Sequence, residues 1–216
     1  MKAFDMQPAP DVLQAWLSQY PGLQQLLPLL DPNSTDEEFD EALENHILDA
    51  VRWLENNADS LHKDSEDSLS TTLAGRIGIK QVIGAHREMN SKGHVDITIK
   101  VISTPRQRLG EAKIYKGYAY HEQGMQQLIE RYSTGRDRSG YMFCYVKIPD
   151  IKGKMEKLRV ECDARKPCGQ NTGSVGHKEK WVFETRHAHA SGEELRVVHF
   201  GVNLHVLKWT PCPDNF

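Results

Sequence analysis

The stretch His94-Val95-Asp96-Ile97-Thr98-Ile99-Lys100-Val101 alternates polar and apolar residues, and Leu109-Gly110-Glu111-Ala112-Lys113-Ile114-Tyr115 follows after Ser103-Thr104-Pro105-Arg106. A period of two marks a half-buried strand, whose successive side chains leave opposite faces. The two runs therefore read as consecutive strands folded back about the Pro105 connection. Glu111 and Lys113 are two apart and share a face. A turn about Thr104-Pro105 places Asp96 opposite Lys113 and Thr98 opposite Glu111. Asp96 and Glu111 are then diagonal neighbours, close enough for both carboxylates to reach one ion. Val95, Ile97, Ala112 and Ile114 take the apolar face, and Asp96, Glu111 and Lys113 the other.

On the N-terminal side, Glu66 to Arg76 reads as a helix with Leu69, Leu73 and Ile77 on one face. A polar stretch, 57–65, precedes it. Ser34 followed by Glu37 reads as a capping box opening a helix to about residue 56, with Phe39, Leu43, Ile47, Val51 and Leu54 as its apolar stripe. Pro8, Pro10, Pro21 and Pro28 break residues 8–30 into short helices. On the C-terminal side, Tyr118 to Tyr132 reads as one helix with Met125, Leu128, Ile129 and Tyr132 buried. Gly135 and Gly140 bracket the basic loop Arg136-Asp137-Arg138, and Tyr141 to Ile148 is a buried strand. Residues 152–180 are basic without clear periodicity. Trp181–Ala188 and Leu195–Leu207 form a hairpin about Ser191-Gly192-Glu193. The expected architecture is α/β: an acidic helical segment (1–60), a core (61–150) and a basic, strand-rich extension packed on it (151–216).

Hydrophobic content of 38% and charged content of 26% fit a soluble globular protein. No apolar run approaches the roughly 20 residues of a membrane helix, and the first residues lack a signal-peptide pattern. Four cysteines at irregular spacing suggest a reducing cytoplasm rather than a disulfide framework. Cys162, Cys168 and His177 lack the close Cys-X-X-Cys pair of common zinc modules. Residues 1–75 carry a net charge of −12 and residues 76–216 a net of +9, giving the chain's −3. The basic part points to nucleic acid, although two ordinary solvated surfaces give the same numbers. His187 and His189 share one face of the hairpin, as nucleic-acid contacts or, more plainly, as a polar sheet face.

The order helix, strand, strand, helix, strand around Asp96 and Gly110-Glu111-Ala112-Lys113 resembles the PD-(D/E)XK phosphodiesterase superfamily. Its signature is an Asp on one strand and Glu-X-Lys on the next. The resemblance covers residues 64–148 and implies a restriction-endonuclease-like core, catalytic Asp96, Glu111 and Lys113, and Mg²⁺- or Mn²⁺-dependent endonuclease activity, with DNA as substrate. A hard cation takes oxygen ligands, supplies hydroxide near neutral pH and offsets transition-state charge. Many members add an acid on the helix before the sheet. Glu66 fits, lying three, seven and eleven residues before Leu69, Leu73 and Ile77, with Asp67 as the fallback. The implied metal set is Asp96, Glu111 and Glu66.

Recombination-type members carry a Gln on the helix after the Lys, followed four residues later by Tyr. Here Gln127 meets the first requirement, but Tyr132 is five away and off the Gln face of a regular α-helix, so only Gln127 carries over as catalytic. Arg131, Arg136, Arg138, Lys152 and Lys154 are the candidate phosphate contacts. The group that the chain resembles extends to bacterial restriction and anti-phage defence nucleases. Residues 1–60 are expected to restrain the core or to recruit a second copy or a partner defence protein; alternatively, their Leu-rich faces complete the hydrophobic core. Two rival readings are a nucleic-acid-binding or assembly subunit licensed by a partner, and a nuclease for RNA or branched DNA. The plain structural alternative is a surface strand with an Asp96–Lys113 salt bridge, which contributes little.

Overall fold

The run Tyr141-Met142-Phe143-Cys144-Tyr145-Val146 is apolar at every position, so as a strand it needs cover on both faces. The computed structural model, which describes residues 15, 18, 19, 21–90 and 93–207, provides that cover. Its helices are α1 (Pro21–Gln24), α2 (Leu27–Leu30), α3 (Asp36–Asn56), α4 (Ala58–Leu61), α5 (Glu66–Ile77), α6 (Tyr118–Gln126) and α7 (Ile151–Arg165). Its strands are β1 (Ile83–Asn90), β2 (Gly93–Val101), β3 (Gln107–Ile114), β4 (Ser139–Val146), β5 (Val175–Gly176), β6 (Val182–Ala188) and β7 (Glu194–Asn203). Among the described residues the strands form one mixed sheet in the order β1-β2-β3-β4-β7-β6-β5. The pairs β3–β4 and β4–β7 are parallel, and the rest are antiparallel. The protein is thus α/β, with β4 buried at all eight positions. No described helix is long and apolar enough to cross a membrane.

The sheet separates two cores. On one face α3 and α5 cover Ile97, Ile99, Ala112, Tyr141, Phe143, Val198 and Phe200 with Phe39, Leu43, Ile47, Leu69 and Leu73. On the other, α6, the turn after it and α7 cover Leu109, Met142, Cys144 and Val197 with Met125, Leu128, Met155 and Leu158. The hairpin expected as an extension lies within the sheet, because β7 pairs with β4 along the whole length of β4. Several elements go beyond the sequence reading, among them α4 in the polar stretch 57–65 and β5 beside β6. β1 pairs with β2, and α7 fills part of the stretch without clear periodicity. Ile151, Met155, Leu158 and Cys162 are its buried stripe, at spacings of four, three and four, with Lys and Arg between them diluting the signal. The capping box is displaced by one residue: Thr35 caps α3 with Glu38, while the Ser34 hydroxyl donates to Pro28 O and accepts from Arg106.

The acidic face of α3 meets the sheet's arginines. Asp40 accepts from Arg108 Nε at 2.8 Å and from the Ser139 hydroxyl, and Glu44 pairs with Arg196, which also holds Glu184. Glu37 pairs with Arg138, and Glu41 with Lys178. Part of the charge split in the sequence is therefore neutralised inside the molecule. This packing favours the core-completing reading for residues 26–58. Deleting residues 1–60 should give an insoluble or non-cooperatively unfolding product. The deletion uncovers one core and strips Arg108 and Arg196 of their carboxylate partners. A soluble product with a sharp thermal transition would contradict this.

Of the hairpin's histidines, His189 stays partly exposed beyond β6, but two others are inside the molecule. His187 and His199 are fully buried, and with Thr185 and His121 they form a chain of hydrogen bonds: His121 Nε2 to His199 Nδ1 at 2.9 Å, His199 Nε2 to Thr185 Oγ1 at 2.9 Å, and Thr185 Oγ1 to His187 Nε2 at 2.7 Å. This polar row ties α6 to β6 and β7. Burial pushes His121 down to about 4 and holds His187 and His199 low as well. Neutral histidines with depressed pKa values stabilise the fold above about pH 6.5, and that stability is lost as pH falls toward 4. His121→Gln should therefore lower Tm at pH 7.5 by more than at pH 5; a deficit that stays constant with pH would exclude the linkage.

Candidate active site

The polar face of β3 is built by its neighbours. Gly110 leaves room for Phe143, whose Cε2 would lie 3.0 Å from a Cβ there, so β3 and β4 pack closely beneath Glu111. Glu111 is 1% exposed and Lys113 8%. Lys113 Nζ donates to Glu111 Oε1 at 2.6 Å and stands 3.6 Å from Glu66 Oε1. Glu66 opens α5 on the opposite face and reaches around to accept from the Ile114 N–H at 2.7 Å. Asp96 Oδ2 accepts from the Ala112 N–H at 3.0 Å. Asp96, Glu111, Lys113 and Glu66 thus converge on the segment Glu111–Ile114.

The register differs from the expected one by two residues. Ile97 pairs with Gly110 and Thr98 with Leu109, so Asp96 falls level with Glu111 rather than with Lys113. A shift of two preserves the faces. The alternation itself breaks at Asp96. Thr98 pairs with His86 but Val95 with Glu88, so one extra residue bulges from β2. Beyond the bulge Val95 joins Leu109 and Met142 in the second core, not Ile97 and Ala112 as expected. Such a bulge re-aims side chains, and here it lies beside Asp96.

Helix α6 closes the site from above. At Gly124 a Cβ would come within 3.0 Å of Lys113 Cγ and 2.9 Å of Met142 Cε, so glycine lets the helix rest on the lysine's stem. Gln127 lies three residues further along, with its Oε1 buried and unpartnered. From Gln127 to Tyr132 the helix widens to a π turn, in which bonding runs from i to i+5. Residues five apart are brought into line, and Tyr132 comes to the site. Burial, and then the nearby charges of Glu111 and Asp96, raise its pKa. The sequence reading set Tyr132 aside because it assumed a regular helix. It also missed Tyr120, whose hydroxyl is 3.2 Å from Glu66 Oε1; no spacing rule points to that residue.

The predicted phosphate contacts do not form one surface. β3, β4 and β7 run parallel, so they start at one end of the sheet and finish at the other. Arg136 and Arg138 line a cavity of about 550 Å³ at the starting end, together with Arg196. Lys152 and Lys154 follow the finishing end of β4, nearer Lys113. Arg131 is exposed and lies over the Tyr132 ring at 5.7 Å.

The donor set fits a hard divalent cation. All three acids offer carboxylate oxygens, and Glu111 Oε2 is buried without a hydrogen-bond partner, a costly state. Burial, then the charge of Asp96, pushes Glu111 up to about 7, against the opposing pull of Lys113. Burial pulls Lys113 down, but Glu111, Asp96 and Glu66 outweigh it and leave its pKa raised. Among the described residues no three His, Cys, Asp or Glu side chains already meet at one point; the Lys113 ammonium stands between Glu111 and Glu66.

A carboxyl raised in the folded state contributes stability below about pH 4.5 and loses it as pH rises to about 7. In the presence of a chelator, Glu111→Gln should therefore raise Tm at pH 8, by roughly 2 °C or more, and by less at pH 5. A lower Tm than wild type at pH 8 would show that the Lys113 contact outweighs the burial cost. Comparison with known proteins returned no matching family model, no matching curated protein and no matching solved structure.

Proposed function

We propose that this chain is a metal-dependent nuclease hydrolysing phosphodiester bonds in DNA, built on a restriction-endonuclease-like core of the PD-(D/E)XK type. The observation that carries this reading is the convergence of Asp96, Glu111, Glu66 and Lys113 on one buried strand segment, with Glu111 Oε2 left unpartnered. A structural salt bridge would not need a second carboxylate beside the Lys113 ammonium, nor a carboxylate oxygen buried without a partner. The order α5, β1, β2, β3, α6, β4 supports the core assignment, extending the sequence pattern by one antiparallel strand.

Asp96, Glu111 and Glu66 would hold Mg²⁺ or Mn²⁺, which when bound supplies a water nucleophile near neutral pH and offsets phosphate charge. Lys113, held by Glu111 and Glu66, presents an ammonium for charge developing on the phosphate and for orienting water. Tyr132 and Gln127 border the same space from α6 and the turn after it. Arg131, Lys152 and Lys154 are proposed as contacts to the backbone phosphates flanking the reacting one. Restriction or anti-phage defence is the context we propose, in keeping with the group that the sequence resembles.

Asp96→Ala and Glu111→Ala should each lower Mn²⁺-dependent cleavage by several orders of magnitude and leave DNA binding largely intact. Lys113→Ala should lose cleavage yet keep Mn²⁺ affinity, since an ammonium repels a cation. The assay is purified protein with Mg²⁺ or Mn²⁺ against linear, circular and single-stranded DNA and RNA. Near-wild-type turnover by folded Asp96→Ala and Glu111→Ala variants would remove the site assignment, and cleavage confined to RNA would correct the substrate.

A further inference from the structure

Tyr120 lies on the first turn of α6, seven residues beyond Lys113, and its hydroxyl reaches both Glu66 oxygens, at 3.2 and 3.3 Å. Glu66 Oε2 also accepts from the Ile114 N–H at 2.7 Å. Both donors belong to the segment that leaves Lys113, whereas Glu66 comes from α5 across the sheet. The Tyr120 ring lies under two ammonium groups, Lys116 Nζ at 4.5 Å and Lys113 Nζ at 5.7 Å from its centroid, a favourable cation–π arrangement.

A glutamate in the first turn of a helix, with 22% of its side chain exposed, is well solvated pointing outward, and its rotamers are many. Here two donors turn it inward instead, to 3.6 Å from Lys113. We infer that Tyr120 is a positioning residue that fixes the Glu66 carboxylate as a ligand of the divalent cation at Asp96 and Glu111. The inference rests on the metal site proposed above.

Two effects oppose each other. Donation from a phenol withdraws charge from the carboxylate and weakens it as a ligand, while fixing its rotamer removes an ordering cost from metal binding. The ordering effect is the larger, because Glu66 is the most exposed of the three acids and has the greatest freedom to lose. Outer partners of metal ligands typically govern affinity by about 10–100-fold.

The test is calorimetric titration of Mn²⁺ into the full chain, comparing wild type, Tyr120→Phe, Glu66→Gln and the double variant. Phenylalanine keeps the ring and both ammonium contacts and removes only the hydroxyl. Tyr118→Phe, a hydroxyl loss on the same helix next to Glu122, is the control. Tyr120→Phe should weaken Mn²⁺ binding about tenfold at unchanged Tm, Tyr118→Phe should leave it unchanged, and Tyr120→Phe should add nothing in the Glu66→Gln background. In steady-state cleavage the loss should fall on kcat, with KM for DNA unchanged. Wild-type Mn²⁺ affinity in Tyr120→Phe, a full additional loss in the Glu66→Gln background, or an effect on KM alone would each overturn the positioning role while leaving the metal site standing. A wild-type chain that binds no Mn²⁺ would overturn the metal site and this inference with it.

Discussion

Strand β3 is hydrogen-bonded on both edges, antiparallel to β2 and parallel to β4, and covered on both faces. Any charged residue at its centre is therefore carried indoors. A parallel neighbour can be reached only by a crossover, so the chain leaving β3 must traverse one face of the sheet before entering β4. That crossover is α6 and its π turn, and it lies on the face from which Glu111 and Lys113 project. The connection that the topology demands also roofs the polar cluster, and Gly124 lets the roof come down onto Lys113. Burial raises the Glu111 pKa to about 7. The cluster is thus destabilised by its own position in the sheet, as expected where a fold keeps a site that does not serve stability.

The opposite face handles charge differently. There α3 lays Asp40 and Glu44 over Arg108 and Arg196, and each buried cation has a carboxylate close by. The gross asymmetry of the sequence, −12 in residues 1–75 against +9 in the remainder, is in part the signature of this internal contact and not of a large basic surface. Exposed cations near the cluster are fewer, with Lys116, Arg131 and Lys152 among them. An anionic ligand would be recruited there by a local field rather than by net charge, and at 0.1 M salt such a field reaches only about 10 Å.

The regular parts of this fold were legible in the sequence because periodicity reports burial. The stripe of α3, the strand alternation around Ile97 and Ile99, and the shared face of Glu111 and Lys113 all follow from spacings of four, three or two. What escaped detection breaks or dilutes a period. Helix α7 has its stripe at Ile151, Met155, Leu158 and Cys162, diluted by intervening cations. The burial of Glu44 and His199 was not legible, because a polar residue shows no sign in the sequence of the buried partner that neutralises or hydrogen-bonds it. The strand register was off by two because the reversal is centred between Ser103 and Thr104, one residue before Thr104-Pro105, and parity alone cannot detect a shift of two.

Two irregularities of one residue each bear on the same cluster. The bulge in β2 inserts a residue beside Asp96, and the π turn widens the helix between Gln127 and Tyr132. Each gives up regular backbone bonding or packing, and each re-aims a side chain by the amount that a single extra residue allows. Without the bulge Val95 would continue on the face of Ile97 and Ala112. Without the π turn Tyr132 would point away from Gln127, as its spacing of five dictates in an α-helix. A fold selected only for stability would remove both, since regular strands and helices satisfy their backbone groups at lower cost. Their occurrence on two different elements, one beside Asp96 and the other carrying Tyr132 into the field of Glu111 and Asp96, is explained if the position of those side chains is what the local geometry serves.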